Sequence, residues 1–297
     1  MKYFLFVCII LLHLNGISQT QIPPSFKKAV AFIFAQNDSG AIMPDGTGFY
    51  VAVLKNDSTG KIYLATAKHV IKNSTGAFLK RIFLRMLKKK DSSLSIVPID
   101  LYISGNKKNV FIHPDSTVDI AVISVSPSQN EYDYNVIPSS FITTREDFDN
   151  LKIMEGDEVF FTGMFSEFLG KNNNYPITRF GRVALVTNEK VFWNGYYRDL
   201  YLLEATTYWG NSGSPVYFAL KRRPAPRPNS ITIGDETVFK LAGIMSGFFG
   251  ENVLGGLAET KNIRPYQLVN FGISAVTPSY LLWDILFSDE MRNKRGF

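Results

Sequence analysis

Of the residues that most often bind metals or cross-link chains, this 297-residue sequence has little: one cysteine and three histidines. The cysteine, Cys8, lies in an apolar run from Tyr3 to Leu14 that follows Lys2 and gives way to small and polar residues from Asn15 to Gln19. A charged start, a short apolar centre and small Gly16 and Ser18 predict an export signal over residues 1–18, cut after Ser18. The run is short for a membrane span, and no other stretch is long and apolar enough for one. The expected location is secreted or periplasmic, with no stable membrane insertion. The mature chain then holds no cysteine, which excludes a disulfide framework, and its length is ample for a core of its own. Only His69 and His113 remain of the histidines. No cluster of His, Cys and carboxylates has metal-ligand spacing, no glycine-rich phosphate loop is present, and there are no internal repeats. Neither a metal nor a cofactor is therefore expected.

What is present is charge of one sign and a wealth of strand signals. The net charge is +6, with basic clusters at Lys80–Arg81, Lys88–Lys90, Lys107–Lys108 and Arg222–Arg223. No nucleic-acid motif accompanies them, so they read as solvated strand ends and loops. Short β-branched or aromatic runs recur at Val30–Phe34, Gly48–Leu54, Ile62–Thr66, Ile82–Leu87, Ile96–Tyr102, Val110–Ile112 and Ile120–Val125. A polar stretch from Pro127 to Asn150 follows. A second set runs through Glu158–Gly163, Gly181–Val186, Val191–Trp193, Tyr201–Ala205, Pro215–Ala219, Phe239–Ser246 and Gly272–Val276. Asn194-Gly195 reads as a tight hairpin turn. Lys221–Ser230, with three prolines, reads as an exposed loop. The pattern predicts an all-β fold of two packed antiparallel six-stranded barrels, over residues 19–145 and 146–297. One helix is expected near the end, capped by Thr277, with Pro278 in its first turn and Leu281, Leu282, Ile285 and Leu286 on one face.

Three local settings carry chemistry. Gly210-Asn211-Ser212-Gly213-Ser214-Pro215 places a serine between glycines, upstream of apolar Val216 and Tyr217. A serine hydroxyl is a weak nucleophile and needs a base, which in turn needs an orienting acid. His69, in Thr66-Ala67-Lys68-His69-Val70, follows a strand-like run and suits the base; His113, before Pro114, reads as structural. Asp119 opens the apolar run Ile120-Ala121-Val122-Ile123, where a carboxylate must be hydrogen-bonded to offset its desolvation. Gly210 permits a backbone geometry that aims its amide and that of Ser212 at one developing oxyanion.

These motifs resemble the three active-site motifs of chymotrypsin-fold serine peptidases, in the order His, Asp, Ser. The likeness is nearest the bacterial branch that includes glutamyl endopeptidases, and extends to Gly46-Thr47-Gly48-Phe49, Glu158–Gly163, Gly181-Arg182-Val183 and Gly243-Ile244. It implies a triad of His69, Asp119 and Ser212 in a cleft between two barrels, with Gly210 and Ser212 forming an oxyanion hole. It also implies that Thr206 and Thr207 border the primary specificity pocket and that Ser246 and Gly247 pair with the substrate backbone. No acid stands in Thr206-Thr207-Tyr208-Trp209, against a preference for Lys or Arg, and Met245 replaces the histidine expected of a glutamate-specific site. Asn211 stands where animal relatives carry an Asp that pairs with a freed amino terminus; being neutral, it is expected to hold the loop by amide hydrogen bonds. The expected activity is an exported endopeptidase acting on proteins or peptides. The alternatives are a binding protein with an occluded cleft and a stress protease of the high-temperature-requirement type; the missing peptide-binding domain counts against the second.

Overall fold

Strands form where the sequence alternates, and the alternation sorts side chains between cores. The computed structural model describes residues 21–297 apart from 38, 57–58, 104–106, 126, 223–235 and 255–265. The expected signal segment 1–18, and the expected loop Lys221–Ser230 from residue 223 on, lie outside the described residues. In the first half the strands are β1 (Val30–Gln36), β2 (Ile42–Leu54), β3 (Gly60–Ala67), β4 (Arg81–Leu87), β5 (Leu94–Asp100), β6 (Tyr102–Ile103), β7 (Lys107–Lys108), β8 (Val110–Ile112), β9 (Ile120–Ser124) and β10 (Ile137–Pro138). In the second they are β11 (Glu158–Gly163), β12 (Ile177–Leu185), β13 (Val191–Trp193), β14 (Tyr196–Arg198), β15 (Tyr201–Glu204), β16 (Pro215–Arg222), β17 (Glu236–Leu254) and β18 (Tyr266–Pro278).

The second half closes as expected into a six-stranded barrel, in the order β11-β12-β15-β18-β17-β16. Its interior is filled by Phe161, Val183, Leu203, Val216, Phe218, Ala242, Met245 and Val276. Closure of the first half is not seen among the described residues, where its ladder runs β5-β4-β1-β2-β3-β9-β8, with β10 beside β2. Between β5 and β8 the chain leaves the sheet to form the small β6–β7 ribbon. The gap is spanned by Asn109, whose amide donates to Leu101 O at 2.8 Å and whose side chain donates to Asp100 O at 3.4 Å and Ser124 O at 3.0 Å. One side chain thus ties ends that a strand ladder would otherwise pair.

Period-2 alternation explains how the halves meet. On β1, Ala31 and Ile33 enter the main core, while Val30, Phe32 and Phe34 turn the other way onto Met164 from the second half. On β11 and β16, Phe161 and Phe218 point into the barrel, whereas Phe160 and Tyr217 face out and stack at 4.9 Å. Phe26, from the short helix Pro24–Lys28, wedges edge-on against Tyr217 at 4.6 Å and Phe160 at 5.5 Å. Burying such a ring contributes about 1.5–3 kcal/mol, and the main core draws side chains from both halves.

The helix foreseen near the C-terminus is present at Ser279–Leu286, with Leu281, Leu282, Ile285 and Leu286 buried. Its cap is not Thr277. That residue completes β18 opposite Ile244, and its hydroxyl lies 2.7 Å from that of Ser246, so it is not available to cap a helix. Three further helices were not foreseen, the first being the short Pro24–Lys28 described above. Arg145–Asn150, inside the stretch read as a linker, begins with a capping box between Thr144 and Asp147. Asp289–Arg295 is capped by Ser288 and ends at Gly296 in the left-handed region.

Candidate active site

The segment 208–214 is fixed to the first half through one buried threonine. Thr47, on β2, donates its backbone amide to Ser212 O at 2.8 Å and its hydroxyl to Gly210 O at 2.6 Å. The same hydroxyl accepts from Met164 N at 2.9 Å, and Thr47 O accepts from the Thr66 hydroxyl at 2.7 Å. Two glycines make the approach possible. Gly213 has φ +85°, and a Cβ there would lie 2.0 Å from Thr47 O. Gly210 has φ +91°, in the left-handed region that disfavours side chains.

Donor by donor, the segment reserves part of its backbone. Tyr208 N donates to the Asn211 side chain, Asn211 N to Tyr208 O, Gly213 N to Met245 O and Ser214 N to Asn211 O. The amides of Trp209, Gly210 and Ser212 donate to no acceptor among the described residues. In a trans peptide the N–H opposes the preceding carbonyl. Trp209 O faces the Ser166 hydroxyl at 3.4 Å, and Asn211 O is bonded to Ser214 N at 3.0 Å. The Gly210 and Ser212 amides thereby point away from these two bonded carbonyls. Asn211 is buried and holds the turn as expected from its neutrality: its amide donates to Met164 O at 2.7 Å while its oxygen takes Tyr208 N at 2.9 Å.

Opposite this turn, β3 ends at Ala67 and a single 3-10 turn, Lys68–Ile71, swings His69 into the cleft. His69 Nδ1 lies 2.7 Å from Asp119 Oδ2, and Asp119 Oδ1 accepts the His69 backbone amide at 3.1 Å. Asp119 is 4% exposed, so both oxygens are used where water is scarce. Lys68, which sequence reasoning missed, braces the acid's loop: its buried ammonium donates to Ser116 O at 2.7 Å and Val118 O at 2.6 Å. Burial lowers the Lys68 pKa, opposed by the nearby Asp119 charge. For His69, desolvation by the cleft walls acts downward. The charge and hydrogen bond of Asp119, helped by Asp45, outweigh it, and the net shift is up from 6.5. Arg198 acts against that rise.

The cleft between these parts encloses about 450 Å³ and is lined by His69, Asp119, Ser212, Thr207, Ser246 and Gly247 among others. The two other predicted site residues fall differently: Gly210 lies in the turn described above, and Thr206 is exposed and off the cleft, because alternate residues of an extended segment face opposite ways. Thr207 is buried, its hydroxyl 3.2 Å from that of Ser274. Ser212 Oγ points at Ser246 O, 3.5 Å away. Ser214, the neighbouring serine, is fully buried and does not reach the cleft. His113 is likewise remote, its Nδ1 accepting from Asp115 N at 3.0 Å and its Nε2 3.7 Å from Asp284. Sequence reasoning did not find the hairpin β13–β14 as a cleft wall, nor Trp193, Asn194 and Arg198 on it. The Asn194-Gly195 turn was legible; which surface the hairpin would lie on was not.

Comparison with known proteins adds the following. No curated protein sequence matches the chain. Among solved structures 140 chains match. One is the protease domain of MamO from Magnetospirillum magneticum in its apo form, similar at TM-score 0.48 and 13% identity over 88% of this chain and 96% of that one. A family model described as the trypsin-like peptidase domain matches residues 46–220, which run from the glycine before Thr47 through both cleft walls and the Ser212 turn. That span is well over half of the sequence, and the chain belongs to the trypsin-like peptidase domain family.

Proposed function

We infer that the protein is an exported serine endopeptidase that cuts proteins or peptides through an acyl-enzyme, with Ser212 as nucleophile, His69 as general base and Asp119 as orienting acid. The observation that carries this reading is the 2.7 Å His69–Asp119 pair sharing one cleft with Ser212, whose own amide and that of Gly210 are unengaged. The Asp119 carboxylate fixes the imidazole with its proton on Nδ1, leaving Nε2 to accept the serine proton. Ser212 Oγ rests near Ser246 O, and rotation about its Cα–Cβ bond is the step that brings it to His69. Catalytic hydrogen bonds are often long before substrate binds. Attack on the scissile carbonyl then places negative charge at the Gly210 and Ser212 amides, and His69 returns its proton to the leaving amine.

A glutamate preference, which a likeness to glutamyl endopeptidases would imply, is not favoured: Thr207, Ser274 and Met245 offer the primary pocket hydroxyls and a thioether rather than a cation. The favoured residue before the cut is therefore a moderately small or apolar one. Export follows from the signal layout of residues 1–18. The test is labelling of the mature protein with a fluorophosphonate followed by peptide mapping. The modification is expected on Ser212 and absent in Ser212→Ala; label that persists in that variant, on Ser214 or elsewhere, rejects the assignment.

A further inference from the structure

The cleft has one cation that the triad chemistry does not use. Besides His69 and Asp119, Arg198 is the charged side chain lining the cleft among the described residues. It sits at the end of the β13–β14 hairpin, its guanidinium 5.4 Å from the Trp193 ring centroid and 5.3 Å from that of Tyr196. No carboxylate lies within ion-pair distance of it among the described residues, and its Nε is buried without a partner. A guanidinium set beside two aromatic rings, partly desolvated and unpaired among the described residues, is prepared for an anion that none of them supplies.

The hairpin's placement says where that anion arrives. It reaches over the cleft to the first half, where Lys190 pairs with Asp115 at 3.1 Å. On its own side, Trp193 packs over Gly247 and its indole N–H donates to Phe248 O at 3.4 Å. The β17 edge at Ser246–Gly247 faces the cleft without a strand beside it, since β16 pairs with β17 only as far as Ile244. A substrate strand added there would leave alternate side chains on opposite faces. The residue before the cut (P1) points down toward Thr207 and Met245. The one before it (P2) points to the opposite wall, where His69 and Arg198 stand close enough that Arg198 lowers the imidazole pKa.

We propose that Arg198 is a specificity determinant that binds an aspartate or glutamate side chain at P2 of the substrate. This rests on the endopeptidase reading above and adds the substrate class: sequences with an acid two residues before the cut. A carboxylate at P2 meets the guanidinium's donors and stays clear of the buried Asp119 oxygens, which His69 already occupies.

The test is cleavage-site profiling on a mixed peptide library, with wild type, Arg198→Gln and Arg198→Lys, each first counted for active sites by fluorophosphonate labelling. Wild type is expected to favour acids at P2 by roughly ten- to a hundredfold, the range of a charge-assisted hydrogen bond. Per labelled active site, Arg198→Gln should lose that preference, and Arg198→Lys should keep part of it. Cleavage with no acid preference at P2, a preference at another position, or one that survives in Arg198→Gln overturns the proposal, as does a labelled protein that cuts nothing. A wild type that neither labels nor cuts rejects the endopeptidase reading itself, and this inference with it.

Discussion

The two walls of the cleft are built by different means. The wall carrying the Ser212 turn is buried and over-determined: Thr47 alone makes four hydrogen bonds to it and its supports, and the Asn211 side chain adds two more. The hairpin wall is exposed and lightly attached. Phe192, Tyr196 and Tyr197 are all open to solvent, and the hairpin is tied by one buried ring, Trp193 against Leu200 and Ala275 with a long indole hydrogen bond, and by an ion pair at the surface. Groups that must hold a transition state within tenths of an ångström need the first kind of wall. Groups that choose among substrates can stand on the second, where sequence changes cost the fold little.

Removing the reacting groups gives the largest contrast. Ser212→Ala or His69→Ala is expected to lower turnover by roughly four to six orders of magnitude, whereas His113→Ala, off the cleft, stays within a few-fold of wild type. Steady-state kinetics on a cleaved peptide check this, and a reversal between the two histidines would mean the base is misassigned. Next comes the scaffold. Thr47→Val removes a hydroxyl that serves Gly210 O and Met164 N, leaving both buried and unpaired, at a cost of about 2–4 kcal/mol. Urea denaturation should show that loss together with slower fluorophosphonate labelling. Normal labelling would mean the Gly210 and Ser212 amides do not depend on this tie.

The third contrast is in pH. His69 must be neutral to act, and its pKa is raised above 6.5 because Asp119 and Asp45 outweigh burial. Activity should therefore fall as pH drops through a midpoint above 6.5. In Asp45→Asn the midpoint should move down, and in Arg198→Gln up, since Arg198 opposes the rise. A kcat/KM profile against pH for the three proteins measures it, and midpoints that do not separate in that order contradict the electrostatics. The smallest effect belongs to the hairpin. Lys190→Ala removes an exposed ion pair with Asp115 and should leave the urea midpoint unchanged within error.

What could be read from the sequence follows the same division. Alternation in Arg81–Leu87, where Ile82, Leu84 and Met86 are buried, and in the Phe160-Phe161 and Tyr217-Phe218 pairs marks strands and the faces they bury. That His69, Asp119 and Ser212 would share one cleft was legible because each stands in a distinctive local setting. Thr47 as a hub was not, since its partners at Ser212, Gly210 and Met164 are more than a hundred positions away. Arg198 was hidden for the same reason: only the docking of the hairpin on Gly247 and Asp115 brings it to the cleft. The β6–β7 ribbon was not legible because two-residue strands such as Tyr102–Ile103 carry no periodicity.

The Asn211 latch has a consequence for control. Where the turn is held by an ion pair with a freed amino terminus, cutting the chain is a switch, and the uncut protein is harmless to the compartment that makes it. A neutral amide bonded to Met164 O and Tyr208 N is in place as soon as the chain folds. On the endopeptidase reading, protein beginning near Gln19 and protein with a few added N-terminal residues should hydrolyse a small ester equally well. Restraint must then come from timing of folding and from geography: a protease without a safety catch is safe only while it is unfolded, or on the far side of a membrane from what it could damage.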